Sequence, residues 1–298
     1  MEKHLARYVK NPRCILASLG QRGLLNWLDD ERYLKLLFSC RMGYPLDLDN
    51  PKTFNEKLQW LKIHDRDPRY TMMVDKYAVR QWVADSIGEE HLIPLIGVWD
   101  SFEEIDFDSL PERFVLKCTH DSGSTVLCKD KAKFDSWDRC RFIRKRMSLN
   151  YYALGREWPY RNVKPRIIAE ELMVDESGTE LKDYKFFCFD GEPKVLLVAT
   201  GRQIENHVNF YDMRFNRIPL KITYPNTEQE IKRPPGFDEM LHYAQILSRG
   251  IRHVRVDFYD VNGRVYFGEM TFYHLGGMGR FDPPEYDRLW GDWIRLSD

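Results

Sequence analysis

Apolar and polar positions along the chain change period near residue 90. Before that point they recur at helical spacing. In KTFNEKLQWLKIH, Phe54, Leu58, Trp60 and Leu61 give the apolar spacing of a helix face, and Thr53 with Glu56 reads as a capping box, so a helix is predicted to begin at Thr53. In DKYAVRQWVADSIG the apolar positions are Tyr77, Val79, Trp82, Val83 and Ile87, and Gly88 is the stop. From LIPLIGVWD onward, short β-branched or aromatic runs take over: Ile93 to Trp99, Phe114 to Cys118, Thr125 to Cys128 and Ile167 to Leu172. These predict strands of a mixed sheet. Between them, SWDRCRFIRKRMSLNYY is an amphipathic helix whose Arg139, Arg141, Arg144, Lys145 and Arg146 form a basic cluster, read first as a solvated face and second as a contact for an anionic substrate or membrane surface.

Beyond residue 172 a second sheet is predicted. DYKFFCFDGEPKVLLVAT reads as a hairpin around Asp190-Gly191, NFYDMRFNRI as a further strand, and RVDFYDVNGRVYFGEMT as a hairpin around Asn262-Gly263. PGFDEMLHYAQILSRGI is the helix before that last hairpin. The pattern therefore predicts an α+β protein of two lobes. A helical region spans residues 1–90, lobe 1 residues 91–172 and lobe 2 residues 173–298.

The last hairpin carries a carboxylate in each strand, Asp257 and Glu269, where apolar side chains are the norm. A two-residue turn at Asn262-Gly263 puts them on opposite faces. A three-residue loop, Asn262-Gly263-Arg264, makes them direct cross-strand neighbours with Thr271 on the same face. Carboxylates about 5 Å apart repel one another unless a cation or a proton intervenes. A hard divalent cation is one remedy, because Mg²⁺ is commonly held by one or two carboxylates and substrate phosphates. Ion pairs with Arg252, Arg255 or Arg264 are another. In RFVLKCTHDSGSTVLC, Lys117 sits inside an apolar strand ahead of a small-residue loop whose amides can fold over phosphate oxygens. An ordinary polar hairpin with a surface lysine fits the same residues. The loop is not a Walker loop, since Gly-x-x-x-x-Gly-Lys is missing and a strand follows. PRIIAEELM runs an apolar strand into Glu170-Glu171-Leu172 at the join between lobes, and Asp183 and Lys185 share a face of the next strand.

Composition narrows the field. With 298 residues, 43% of them hydrophobic, there is ample core for one large domain or two smaller ones. A net charge of −1 supplies no global attraction to nucleic acid or anionic lipid. No apolar run approaches the roughly 18 residues of a membrane span, and the N-terminal residues lack a signal-peptide core, so a cytoplasmic protein is expected. Six scattered cysteines without a Cys-x-x-Cys pair are expected to be reduced thiols.

Taken in order, these elements resemble the ATP-grasp superfamily. They are most similar to its TupA-like branch, named for teichuronopeptide biosynthesis and found among capsule and surface-polysaccharide genes. The resemblance runs from NPKTFNEKLQWLK to YDRLWGDWIRL. It implies two α+β lobes that hold ATP between them, with ATP and Mg²⁺ as cofactors. By position it makes Lys76 and Lys117 phosphate lysines and Ser122, Gly123, Ser124 and Thr125 the lid. Glu170, Glu171 and Leu172 become the adenine hinge, and Asp183 joins the nucleotide-binding set. Lys185 and Arg255 would serve the transferred group, with Asp257, Glu269 and Thr271 as metal ligands. Ordinary ATP-grasp ligases have Glu-x-Asn where this chain has Glu269-Met270-Thr271. His274 and Arg280 are candidates for acceptor contacts, and a structural histidine fits the former equally.

The activity implied is ligation of a carboxylate to an amine through an acylphosphate, with a uronic acid of a surface glycan and an amino acid as the plausible pair. Peripheral association with a polysaccharide assembly complex is implied too. Rivals are a glycan kinase, a glycosyltransferase and an inactive scaffold. On this reading Asp257→Asn or Glu269→Gln removes metal-dependent turnover and leaves the fold intact.

Overall fold

The computed structural model describes residues 13–20, 23–134, 136–174, 181–201 and 206–296. Helix α1 spans Arg13–Gly20, α2 Asp30–Met42, α3 Phe54–His64, α4 Arg69–Val74 and α5 Val79–Ile87. The capping box forms as expected at the start of α3: the Thr53 hydroxyl accepts from the Glu56 amide, and the Glu56 carboxylate accepts from the Thr53 amide at 3.0 Å. Gly88, at φ 108°, ends α5.

Strands β1 (Leu95–Trp99), β2 (Phe114–Cys118), β3 (Val126–Cys128) and β4 (Ile167–Glu171) form a four-stranded sheet in the order β1-β4-β2-β3. Every pairing in it is antiparallel, which corrects the expected mixed sheet. Helix α6 (Ser136–Met147) packs on it, and the predicted long helix breaks there. Asn150 accepts from the Ala153 amide and starts the short α7 (Tyr151–Gly155). Alternation sorts the side chains of this sheet: Phe114, Leu116, Cys118, Ile167 and Ala169 enter one core, whereas Lys117 and Glu170 lie on the opposite face.

The larger sheet contains β5 (Asp183–Phe189), β6 (Glu192–Thr200), β7 (His207–Tyr211), β8 (Arg217–Ile218), β10 (His253–Val261) and β11 (Arg264–Thr271) in the order β11-β10-β5-β6-β7-β8. Asp190 and Gly191 both take positive φ, as the predicted tight hairpin between β5 and β6 requires. A two-stranded pair, β9 (Lys221–Ile222) with β12 (Phe281–Asp282), sits apart from it. Helix α8 (Phe237–Leu247) buries Phe237, Met240, Ala244 and Leu247, with Phe237 against Phe186, so it closes the apolar face of the larger sheet.

On the other face, α3 and α9 (Glu285–Trp293) cover only one end. The fully buried Trp290 lies there among Phe54, Phe187 and Phe281, with ring centroids 4.8–5.3 Å apart. Asp287 fastens the two helices by accepting from the Asn55 amide at 3.0 Å and its side chain at 2.8 Å. Helices α3, α4 and α5 thus share their core with the larger sheet: Phe54, Leu58, Leu61, Tyr70, Met73, Val79 and Val83 belong to the same cluster as Phe186 and Val256, whereas Tyr33, Leu34, Leu37 and Phe38 of α2 form a separate core with Leu46, Leu48 and Met278.

The last hairpin combines both registers considered from sequence. Val261 faces Arg264 across a two-residue Asn262-Gly263 turn, yet Asp257 faces Glu269. A bulge makes up the difference, because Phe258 pairs with Phe267 and leaves Gly268 as the extra residue. A Cβ on Gly268 would lie 3.0 Å from the Asp257 carbonyl oxygen and 3.2 Å from the Tyr259 ring. Gly268→Ala is therefore expected to lower stability by about 1–3 kcal/mol, read as a lower midpoint in thermal melts.

Cys118, Cys128 and Cys188 are free and buried, as expected of reduced thiols. Cys40 corrects that expectation: it is disulfide-bonded, and its partner lies outside the described side chains. Sequence spacing offered no pair to find it by. Among the described residues no helix is long and apolar enough to cross a membrane.

Candidate functional site

The other end of that face of the larger sheet carries polar residues, and they too are buried: Asp183 is 2% exposed, Arg255 7% and Asp257 1%. Alternation in β5 and β10, with Lys185 opposite Asp257, puts Asp183, Lys185, Arg255 and Asp257 on one face, and the bulge brings Glu269 and Thr271 of β11 onto it. Arg255 is the hub. Its Nε donates to Asp257 Oδ1 at 2.7 Å, and its Nη2 donates to Asp257 Oδ2 at 2.7 Å, Thr271 Oγ1 at 3.0 Å and Glu269 Oε1 at 3.1 Å. Nη1 meets His274 Nδ1 at 2.8 Å. Lys185 donates to Asp183 and Asp257. This planar fork against carboxylates is a geometry that only arginine supplies.

Glu269 links the two sheets. Burial pushes its carboxyl up, but Lys76, Lys185, Arg255 and Lys117 together outweigh burial and hold it down to about 2. Lys76 and Lys117 come from the side of the smaller sheet, Lys185 and Arg255 from the larger. Arg255 alone of the four touches this carboxylate among the contacts described, at 3.1 Å, and the Glu269 side chain remains 34% exposed. His274 is driven well below its ordinary range by burial and then by Arg255 and Lys185, so its ring is neutral and fit to accept from Arg255.

On the smaller sheet, Lys117 donates to Glu170 Oε2 at 2.6 Å, and Arg80 donates to Glu170 Oε1 at 3.0 Å. The Glu170 carboxylate is thereby fully engaged. Glu171 is exposed at the strand end, where its amide donates to the Pro94 carbonyl at 3.1 Å, and Leu172 follows partly buried. In the Ser122–Thr125 loop, Ser122, Gly123 and Thr125 are exposed, and Gly123 takes φ +89° with open space where a Cβ would stand. Ser124 is buried instead. Its hydroxyl accepts from the Cys118 amide at 2.9 Å and donates to Asp121, which fixes the base of the loop. Lys76 Nζ donates to the Asp121 carbonyl and Arg146 to the Asp121 carboxylate.

Three residues here escaped the sequence reading. Arg80 lies in the first turn of α5, beyond the non-helical Lys76, and no local pattern marked it. Arg146 was read as part of a solvated face, but it also donates to the Ser122 carbonyl at 2.6 Å and so belongs to the loop. Asp121 gave no signal beyond standing next to Ser122. Arg280, exposed and donating to the Arg41 carbonyl at 3.1 Å, does not join the cluster.

The oxygen set at Asp257, Glu269 and Thr271 suits a hard cation in part. Glu269 Oε2 accepts no hydrogen bond from the described residues and Asp257 Oδ1 accepts one, which leaves room for the two-carboxylate holding typical of Mg²⁺. Among the described residues there is no group of three or more His, Cys, Asp or Glu that could hold a metal by itself.

Two antiparallel sheets with a glycine loop on one and an Arg-Asp-Glu face on the other make up the ATP-grasp fold. Residues 56–295 match the TupA-like ATP-grasp family, and the chain belongs to it. No curated protein matches the sequence. Among solved structures it is similar to D-alanine–D-alanine ligase from Bacillus anthracis complexed with ATP, at 13% identity, covering 67% of this chain and 54% of that one, with a TM-score of 0.38. It is likewise similar to the ATP-grasp ligase PsnB complexed with minimal precursor, Mg and ADP, at 14% identity, 73% and 57% coverage and a TM-score of 0.37. L-amino acid ligase from Bacillus licheniformis shares 11% identity over 66% of this chain and 42% of that one, at a TM-score of 0.38. The chain spans roughly half the length of these ligases.

Proposed function

We propose that the chain is an ATP- and Mg²⁺-dependent carboxylate-amine ligase. The observation that carries this is the polar face on which Arg255 holds Asp257, Glu269 and Thr271 while Lys185 holds Asp257, a set of cations and acids of the kind that a polyphosphate and a transferring phosphoryl group need. Residues 91–172 supply the lid lobe and residues 173–298 the metal lobe. Lys76 and Lys117 receive the phosphates, and the exposed amides around Gly123 close over them. The backbone around Glu170, Glu171 and Leu172 meets the adenine edge, while the Glu170 carboxylate holds Lys117 in place rather than reading the base. Asp183 orients Lys185.

In the first step a substrate carboxylate oxygen attacks the γ-phosphorus, the bond to the β-phosphate oxygen breaks, and ADP leaves. Arg255 and Lys185 steady the charge on the transferred group. In the second step a neutral amine nitrogen attacks the acylphosphate carbon, the carbon–oxygen bond to phosphate breaks, inorganic phosphate leaves and takes up the nitrogen's proton, and an amide remains. Asp257 and Glu269, with the Thr271 hydroxyl, would hold Mg²⁺, which supplies charge neutralisation on the phosphate oxygens when bound. The likeness to teichuronopeptide-type proteins supports a uronic acid of a capsule or surface polysaccharide as the acid, an amino acid as the amine, and a cytoplasmic protein that associates peripherally with the assembly machinery.

ADP release measured with glucuronic acid, with an amino-acid mixture and with both tests this. Release that requires the acid, and a hydroxamate formed when hydroxylamine replaces the amine, are expected. A stable phosphorylated sugar with no use of the amine would instead establish a kinase. Lys117→Met is expected to weaken ATP binding about ten- to a hundredfold, the worth of one charge-assisted hydrogen bond. The fold should survive, because Arg80 still compensates Glu170. Calorimetric titration with ATP measures this, and unchanged affinity would remove Lys117 from the site.

A further inference from the structure

Helix α3 buries two stripes. Phe54, Leu58 and Leu61 enter the core of the larger sheet, as the apolar spacing predicts. Asn55, Gln59 and Lys62, at i, i+4 and i+7, form a second stripe that is polar and just as buried, each at 1% exposure or less. Buried polar groups persist when they are bonded, and all three of these bond the main chain of a single loop. Asn55 donates to the Gly279 carbonyl at 2.8 Å and accepts from the Gly279 amide at 3.0 Å. Gln59 Nε2 donates to the Gly276 carbonyl at 3.0 Å and to the Gly277 carbonyl at 2.7 Å. Lys62 Nζ donates to the Gly276 carbonyl at 2.8 Å and to Gln59 Oε1 at 3.0 Å.

The loop held in this way has a left-handed backbone. Leu275, Gly276 and Gly277 follow one another at φ 52°, 65° and 66°. That conformation is costly at Leu275, which carries a Cβ, and it persists where the surroundings over-determine it. Here they do, for the loop lies so close on α3 that a Cβ on Gly277 would stand 2.4 Å from Gln59 Nε2. His274 opens the turn. Its buried ring is edge-on to Phe187 at 5.0 Å, and its Nδ1 meets Arg255 Nη1 at 2.8 Å. A helix that precedes both lobes is thus connected to Arg255 through one turn of backbone.

We infer that Gln59 and Lys62 are positioning residues of the site. By holding the Gly276 and Gly277 carbonyls they keep the turn left-handed and the His274 ring aimed at Arg255, and so help to fix the fork that Arg255 presents to Asp257 and Glu269. Neither residue touches a substrate. The consequence for turnover rests on the ligase reading, whereas the consequence for His274 does not.

Nitrogen-15 NMR of the imidazole rings tests this on the full chain, with His274→Gln identifying the His274 signals. Wild-type protein is expected to show one neutral tautomer, with the proton on Nε2 and a bare Nδ1 that accepts from Arg255. In Gln59→Leu the Nδ1-protonated tautomer should appear beside it, and ADP release should fall about a hundredfold with ATP affinity unchanged. Lys62→Met, in which Gln59 still reaches both carbonyls, should move the balance the same way by less, and it decides the matter if Gln59→Leu does not fold. Lys57→Met is the control for mere loss of stability: Lys57 lies on the same helix but donates to the Ile294 carbonyl at 2.8 Å, so its removal should leave His274 in the wild-type tautomer. Mixed tautomers already in the wild type overturn the inference. So does an unchanged His274 in the folded Gln59 and Lys62 variants, or an equal change in Lys57→Met. A wild type that releases no ADP counts against the ligase reading, and the tautomer comparison still decides the positioning.

Discussion

Asp257→Asn is expected to lower magnesium-dependent ATP turnover about a thousandfold, the upper range for removing one charged partner from a preorganised phosphoryl site. It is also expected to destabilise the fold by about 3 kcal/mol. The second effect follows from geometry that the sequence did not show. Asp257 is 1% exposed, accepts two bonds from Arg255 and one from Lys185, and faces Glu269 across the hairpin. An amide in its place turns a donor toward two cations and leaves both without their nearest anion. The expectation that the fold survives intact is thus revised for Asp257. Glu269→Gln also gives up a carboxylate that Lys76, Lys185, Arg255 and Lys117 hold charged, but its side chain is 34% exposed and water screens the loss. A coupled ADP assay and a urea melt, run on both variants, separate the two effects: both acids lose turnover, and Asp257→Asn loses more stability than Glu269→Gln.

The second large effect is expected at Arg255. Arg255→Met removes the group that holds Asp257, Glu269, Thr271 and His274 together, so turnover should again fall by about a thousandfold. A signature in pH accompanies it. Glu269 is held down to about 2 in the folded protein against an ordinary 4.5. Its stabilising contribution is therefore complete above 4.5 and lost as pH falls through about 2. Without Arg255 the folded-state carboxyl moves back up, and the window of loss moves up with it. Acid unfolding of Arg255→Met should therefore begin at higher pH than that of the wild type. A coincident acid midpoint would mean that Arg255 does not govern Glu269.

The readable parts of this chain were those set by local rules. The capping box at Thr53, the stop at Gly88, the Asp190-Gly191 hairpin and β2 follow from adjacent residues, and each stands where the pattern put it. The acid pair was half legible. Its cross-strand pairing and the two-residue turn exclude one another unless a residue is inserted, and Gly268 inside an alternating strand was the sign of that bulge. Arg146 was not legible as part of the loop. It belongs to a helix face that is otherwise solvated, and its partners Asp121 and Ser122 come to it from a loop more than twenty residues earlier. The Thr271 hydroxyl was legible as a neighbour of Glu269, but its bond to Arg255 depends on the fork geometry.

Calorimetric titration of the full chain with ATP, in the presence and absence of Mg²⁺ and beside UDP-glucose, tests the central claim most directly. Magnesium-dependent ATP binding, with no heat from UDP-glucose and with loss of the magnesium effect in Glu269→Gln, is the expected result. Absence of ATP binding, or a preference for UDP-glucose, would contradict the account and leave the fold without the nucleotide site proposed for it.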